Sequence, residues 1–385
     1  MRFVIAQRSL SHPGGSETFV LTVAEHLSRL GHEVVVWASE LGLSAEVGRA
    51  RNIEIVGEGA LPPQDVDATI SLDRVMAIDL ALRYPHAVRL YAMHNSNEVW
   101  LPPPEPGIVA ATLAPNDRLA CLARGCAGAG EVVRIKQPVD ILRFTPASGW
   151  PRQIPSRVLL IGNYFGFITQ RADSLQSAWS RPGLEWRRLG HPEPTTEVSE
   201  EMAKADIVVG YGRSILEAMA CGRAAYVHEH SGSDGWVTAA NYERLEADGF
   251  AGIGLRPPPS LDALREDFRR YDPSLGRDGR DLAFLHDARL VVAGLVSLVD
   301  QFGPPARAHD PHALRALRNL AESRFRADLE IGSLRARVKS TDMELSRLND
   351  ELSRLHDAAR AKAERRRARG RVRKLFTYLR SGLIG

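Results

Sequence analysis

Cysteine is scarce in this chain. Its 385 residues include three, Cys121, Cys126 and Cys221, too few for a disulfide framework and in keeping with a reducing compartment. Cys121 and Cys126 have no His or Cys neighbour at metal-ligand spacing, and they read as small core residues. No apolar run approaches the ~20 residues needed to span a bilayer. Met1–Ala6 is too short, and followed by the wrong residues, to be a signal peptide, so a cytoplasmic protein is expected. An excess of one charge is also missing, since 50 Lys and Arg face 47 Asp and Glu for a net +3. That balance hides an asymmetry. From Arg360 onward ten basic residues stand against one acid, Glu364, so the tail carries +9 and the chain before it −6. The basic character belongs to the tail and not to the body. Hydrophobic residues at 44% and charged residues at 25% are ordinary for a globular protein, and the length suggests two or three domains.

What the chain does have is an alternation of short apolar runs with helical stretches. Residues 2–6, 33–38, 53–56, 68–71, 87–92, 110–115, 131–136, 157–162, 184–189, 205–209 and 224–228 read as strands, those at 2–6, 157–162 and 205–209 as buried ones. Helical spacing marks 16–30, 73–83, 117–123, 215–221 and 287–299. Strand, glycine-rich turn, helix, strand is the unit of parallel sheets, and it occurs in each half. In the first half the turn holds Gly14, Gly15 and Ser16. In the second half Gly162 ends one strand, and Gly210-Tyr-Gly-Arg-Ser-Ile-Leu-Glu-Ala-Met-Ala-Cys-Gly222 follows another. Such glycines let backbone N–H groups at a helix start approach an anion. Ser214 and Glu217 also have the spacing of a capping box, in which Glu217 would only bond the backbone at the helix start. Glu17 can be read as an acid in a first helical turn, favoured by the helix dipole. His94 and Asn95 fall just past a strand end, where open parallel sheets bind ligands.

The 210–222 segment resembles the donor signature of GT-B glycosyltransferases, retaining family 4 in particular. Gly14-Gly15-Ser16-Glu17 resembles that family's Gly-Gly-x-Glu turn, and Gln137-Pro-Val-Asp140, with Phe144 and Pro146, its interdomain hinge. The resemblance implies an α/β fold of two Rossmann-like domains facing a cleft. The acceptor domain spans 1–144 and the donor domain 157–301, joined by a linker at 145–156. It implies that Glu217 bonds the ribose of a nucleoside diphosphate sugar and that Gly14, Gly15, Ser16, Gly162, Gly210, Gly212 and Ser214 line the nucleotide-sugar site. His94 would face the sugar, and Arg171 or Arg213 would neutralise the leaving diphosphate. No cofactor is implied. No Asp-x-Asp pair is expected to hold a metal at the diphosphate, and no metal is expected. A metal shared by His228 and His230 is not expected, and the Ser-Gly-Ser-Asp-Gly run at 231–235 would be a loop facing the pocket. The chain departs from the family twice: Val209 stands in place of a second Glu that contacts the donor sugar, and Asn163 in place of an Arg. Three readings follow. The chain transfers a sugar to a glycan or lipid-linked acceptor in cell-surface polysaccharide or glycoconjugate synthesis, or it is a degenerate domain serving as a scaffold, or it is an epimerase.

A break at 302–312 precedes a 3-4 spacing that runs from Ala313 through Leu317, Leu320, Ile331, Leu334, Val338, Leu345, Leu348 and Leu352 to Ala359. More than six heptads argue for a coiled coil over 313–359 and a homo-oligomer. In the tail, 360–385, the basic residues and the stripe Leu375, Leu379 and Leu383 read as an amphipathic helix on an anionic membrane surface. The tail would place the protein on the inner face of the cell membrane. Binding of nucleic acid is the weaker reading of the same charge.

Overall fold

The computed structural model describes residues 1–57, 59–60, 65–94, 102–162, 169–190, 195, 197–229, 232–252, 259–305 and 309–381. Two compact units divide the chain, Met1–Glu322 and Ser323–Gly385. The first begins with β1 (Arg2–Ala6), β2 (Ser9–Leu10), α1 (Gly15–Arg29), β3 (Glu33–Trp37), β4 (Glu40–Leu41), α2 (Leu43–Ala50), β5 (Glu54–Val56) and β6 (Ala68–Ser71). It continues with α3 (Arg74–Arg83), β7 (Val88–Ala92), β8 (Ala111–Ala114), α4 (Asp117–Arg124) and β9 (Glu131–Arg134). The second half of this unit holds β10 (Arg157–Ile161), α5 (Thr169–Ala178), β11 (Glu185–Leu189), α6 (Val198–Lys204), β12 (Ile207–Gly210) and α7 (Arg213–Ala220). After these come β13 (Ala224–Glu229), β14 (Gly232–Trp236), α8 (Tyr242–Ala247), α9 (Leu261–Arg269), α10 (Ser274–Ala283) and α11 (Ala288–Phe302). Helix α12 runs from Pro311 to Ser381.

Seven parallel strands form the first sheet in the order β5-β3-β1-β6-β7-β8-β9. Consecutive residues Val34, Val35 and Val36 are all buried, because helices cover both faces of such a sheet. The second sheet has the order β11-β10-β12-β13-β14, with only β14 antiparallel. The chain reverses direction across each sheet between β1 and β6 and between β10 and β12. Ligands of open α/β sheets bind beyond the carboxyl ends of strands at such points. The turns after β1, β10 and β12 therefore stand where chemistry is expected, and they are the turns that carry Gly14-Gly15, Gly162 and Gly210.

Two chain crossings join the halves. Val139 N–H donates to the His286 carbonyl at 2.8 Å, and Ala288 N–H to the Val139 carbonyl at 3.0 Å. His286 is fixed between the Tyr242 hydroxyl at 2.8 Å and the Gln137 carbonyl at 3.0 Å. Beyond this hinge α11 returns to the first half and adds Val292, Leu295 and Val299 to the core around Phe3, Ile5, Phe19 and Leu27. Each fully buried side chain of this kind contributes about 1.5–3 kcal/mol, so a helix late in the chain holds an early domain together.

Several elements differ from the expectations. Residues 232–236 form strand β14, not a loop; its backbone pairs with β13 from Tyr226 to Glu229. Cys121 is exposed and Cys126 half-buried, because the buried face of α4 is Leu119, Ala120 and Ala123. Helix α10 carries Gly276 and Gly279 in its interior, where glycine disfavours a helix. They are packing glycines: a Cβ on Gly276 would stand 2.3 Å from the Gly222 carbonyl oxygen, and one on Gly279 3.4 Å from Met219. The seam expected from Ala313 takes a different face at its start. Leu314 and Ala321 are buried, with Leu317 against the same cluster around Ile78 and Leu119, while Ala313 is exposed and Leu320 is 66% exposed. Arg318 reaches Asp79 at 3.2 Å and Glu322 reaches Arg8 at 3.6 Å. These first turns of α12 thus belong to the first unit, and the second begins at Ser323.

Candidate active site

Gly14 caps α1 in extended backbone, with φ −154° and ψ 177° and no side-chain cap. Glu17 supplies the missing acceptor. Its carboxylate folds back over the turn, taking hydrogen bonds from Gln7 Nε2 at 3.2 Å and Ser16 Oγ at 3.0 Å. A Cβ on Gly14 would stand 2.3 Å from Glu17 Oε2, whereas one on Gly15 would meet nothing within 4 Å. Burial pushes the Glu17 carboxyl above its ordinary range, and bonds from its own N–H, Ser16 and Gln7 pull the other way.

The turn after β12 is built differently. Gly212, at φ 61° and ψ −134°, is the cap residue of α7, and its N–H donates to the Phe250 carbonyl at 2.8 Å. This backbone region costs a non-glycine residue about 1–3 kcal/mol. Gly210 lies so close to Ser214 Oγ and the Ile161 carbonyl that a Cβ would stand 2.5 and 3.0 Å from them. The Ser214 hydroxyl donates to the Tyr211 carbonyl at 2.8 Å. The capping-box reading of Ser214 and Glu217 is thereby corrected: the helix starts earlier, and Glu217 sits a full turn inside it. Its Oε1 accepts from Arg213 Nε at 2.7 Å, a buried i,i+4 ion pair. Burial raises the Glu217 pKa, and Arg213, Arg51 and Arg143 offset part of that rise.

Arg213 also bridges the halves. Its Nη2 donates to Thr22 Oγ1 of α1 at 3.0 Å, and Thr22 in turn donates to the Thr18 carbonyl at 2.7 Å. His94 stands near, its ring against Phe19 with centroids 4.2 Å apart. Burial, and then the Arg213 charge, lower the His94 pKa to about 3, so the ring is neutral at pH 7. Both His94 Nε2 and Arg213 Nη1 are buried with no hydrogen-bond partner among the described residues. A cationic donor left in this state costs more than a neutral one, and a shared anionic or hydroxylic ligand would satisfy both.

Behind this pair lies a ring of charges that the sequence did not disclose. Glu25 accepts from Arg143 at 2.8 Å and from Arg29 at 2.6 Å, with Arg51 3.8 Å away. Asp140 meets Arg29 at 3.4 Å and His26 and Arg143 at 3.6 Å. Burial alone would raise the Asp140 carboxyl; the His26 bond and the Arg143 charge outweigh it and hold the pKa well below the usual range. The only signal in the sequence is that Thr22, Glu25, His26 and Arg29 recur at helical spacing on α1.

Among the other expected residues, Gly162 follows β10 and its N–H donates to the Leu189 carbonyl at 3.1 Å. Arg171 lies in α5, and its side chain falls outside the described residues, as do Asn163, Asn95 and His230. Val209 is fully buried among Trp179, Tyr226 and Trp236, so the side chain at that position packs in the core. His228 is buried in β13. One Asp-x-Asp pair does occur, Asp65-Val-Asp67, but it precedes β6 at the amino ends of the strands, opposite the glycine-rich turns, where Asp67 accepts from the Arg2 N–H at 2.6 Å. Among the described residues no group of three His, Cys, Asp or Glu is placed to hold a metal.

No protein-family model matches the chain, and no curated protein matches it in sequence. Solved structures do. HepE (Alr3699) of Anabaena, solved with UDP and glucose, superposes with a TM-score of 0.56 at 12% identity, over 78% of this chain and 100% of that one. An α-glucosyltransferase solved with UDP and a 13-mer DNA superposes with a TM-score of 0.52 at 13% identity, over 78% of this chain and 99% of that one. At such identities the likeness concerns architecture, and with the two sheets and their switch points it gives this chain the GT-B fold of glycosyltransferases.

Proposed function

We propose that the chain transfers a sugar from a nucleoside diphosphate sugar to a glycan or lipid-linked acceptor, without a metal. The observation that carries this is the convergence of Glu217, Arg213 and His94, with Arg213 Nη1 and His94 Nε2 both buried and unpartnered among the described residues, beside the glycine-capped start of α7. Glu217 holds the ribose hydroxyls. Arg213 and the N–H groups at the start of α7 meet the charge that grows on the diphosphate as the bond to the sugar C1 breaks. An acceptor hydroxyl oxygen forms the new bond to C1 as the bond from C1 to the diphosphate oxygen breaks, and its proton passes to the departing diphosphate. His94 is a poor proton acceptor at a pKa of about 3, so its role is to hydrogen-bond the sugar. The donor base is uridine in this reading, because HepE and the α-glucosyltransferase have both been solved with UDP-glucose. The tail, 360–385, faces an anionic membrane surface, where each Lys or Arg contributes about 1 kcal/mol, and the acceptor lies on that surface.

Before the donor binds, Glu217 is already occupied. Arg213 must leave it for the ribose and move to the diphosphate, exchanging one anionic partner for another. The test is calorimetric titration of the full chain with UDP, GDP and dTDP. UDP is expected to bind, and Glu217→Ala to weaken it about tenfold or more, as the loss of a charge-assisted bond would. If none of the three nucleotides binds the wild-type chain, the scaffold reading replaces this one.

A further inference from the structure

Beyond Ser323 helix α12 carries a stripe of large apolar side chains on its surface. Ile331, Leu334, Val338, Leu345, Leu348 and Leu352 are each between 44% and 61% exposed. A helix of this length does not carry such a stripe at spacing 3-4 unless something covers it. We propose that the cover is a second copy of the chain, and that residues 324–359 form a parallel, in-register, two-stranded coiled coil.

The stripe fixes the heptad. Arg324, Ile331, Val338, Leu345, Leu352 and Ala359 take the a positions, and Ala327, Leu334, Thr341, Leu348 and Leu355 the d positions. β-Branched residues at a with Leu at d favour two parallel strands, and the flanking e and g residues choose partner and direction. In the parallel register Glu330 meets the partner's Arg335 and Arg337 meets the partner's Asp342. Glu351 meets the partner's His356, and Glu344 meets the partner's Asn349. No like charges face each other across the e and g positions; on the seam itself only the first a position, Arg324, sets like charges together, at the end of the stripe. Reversing one strand about the same seam sets Glu344 against the partner's Glu344 and Asp342 against the partner's Asp342, which repel. Five heptads are also more than the three to four that a stable pair needs. The seam starts at Arg324 because Leu314, Leu317 and Ala321 are already taken up by the first unit. The inference is independent of the proposed activity.

The test is sedimentation equilibrium of the full chain at micromolar concentration. Twice the 42.4 kDa chain mass is expected, falling to one chain mass in the double variant Leu334→Glu, Leu348→Glu with the thermal transition of the body unchanged. Under mild oxidation Leu348→Cys should give a covalent dimer that the wild type, treated alike, does not. A monomeric wild type, a trimer, or a dimer that survives both Glu substitutions overturns the proposal. So does a dimer with no 348–348 bond, since an antiparallel pair would hold those positions roughly 15 Å apart along the axis.

Discussion

The two glycine-rich turns each follow a strand that borders its sheet's switch point, and they differ in what their acid does. After β1, Glu17 folds back over Gly14 and is tied down by Gln7 and Ser16. After β12, the acid sits two residues deeper, and Glu217 is held by an arginine from its own helix. The first helix start thus carries its own anion. The second leaves its N–H groups to an incoming one, with a cation already beside them. Local sequence makes these turns alike; the distance of the acid from the cap closes the first over its own carboxylate and leaves the second without one.

The largest effect expected from this difference is on ligand. Glu217→Ala should lose UDP affinity about tenfold or more, and Glu17→Gln should change it less than about threefold, both by calorimetry on the full chain. Equal losses would mean that both turns hold the donor alike and would erase the contrast. The next effect is on stability. Gly212→Ala forces a side chain into left-handed backbone and should cost about 1–3 kcal/mol. Gly15→Ala meets open space at the first residue of a helix and should cost nothing measurable. Denaturant midpoints of the two variants separate these outcomes.

Much of this was legible beforehand, and the limits are physical. All eleven anticipated strands are present; the central ones, such as β1 and β12, are continuous buried apolar runs bounded by turns, while β9 and β11 are half-exposed. The second-half glycines fell where the chain direction reverses. Helices α9 and α10 escaped notice because they are short, polar and, in α10, interrupted by glycines whose purpose is contact with α7. The network of Glu25, Arg51, Asp140 and Arg143 joins residues 118 positions apart in the case of Glu25 and Arg143, and no local pattern encodes such a meeting. Arg213 was visible as a cation in the signature, but its bond to Thr22 across the cleft was not.

That bond yields a finer test. Arg213→Met frees Glu217 and removes the cation meant for the diphosphate. Uridine, which has no phosphates, should bind a few-fold more tightly than to the wild type. The advantage of UDP over uridine should shrink by about tenfold, the value of one charge-assisted bond. An unchanged ratio would show that Arg213 never reaches the diphosphate, and would leave it as a clasp between α7 and α1.

The smallest effect concerns Glu17, and its sign follows from burial. The folded chain holds the proton on this carboxyl more tightly than the unfolded chain does, since desolvation raises its pKa above 4.5. A group raised in this way favours the fold fully below its unfolded pKa, and that contribution is lost as pH rises through the folded value. At pH 7 the wild type therefore keeps a costly buried charge at the first turn. Glu17→Gln should have a slightly higher Tm at pH 7, by less than Gly212→Ala lowers it, and the gap should close as the pH falls below about 4.5. Should the gap stay constant across that window, the carboxylate is not the species that Gln7 and Ser16 hold. The first turn would then lack the fixed negative charge that distinguishes it from the second.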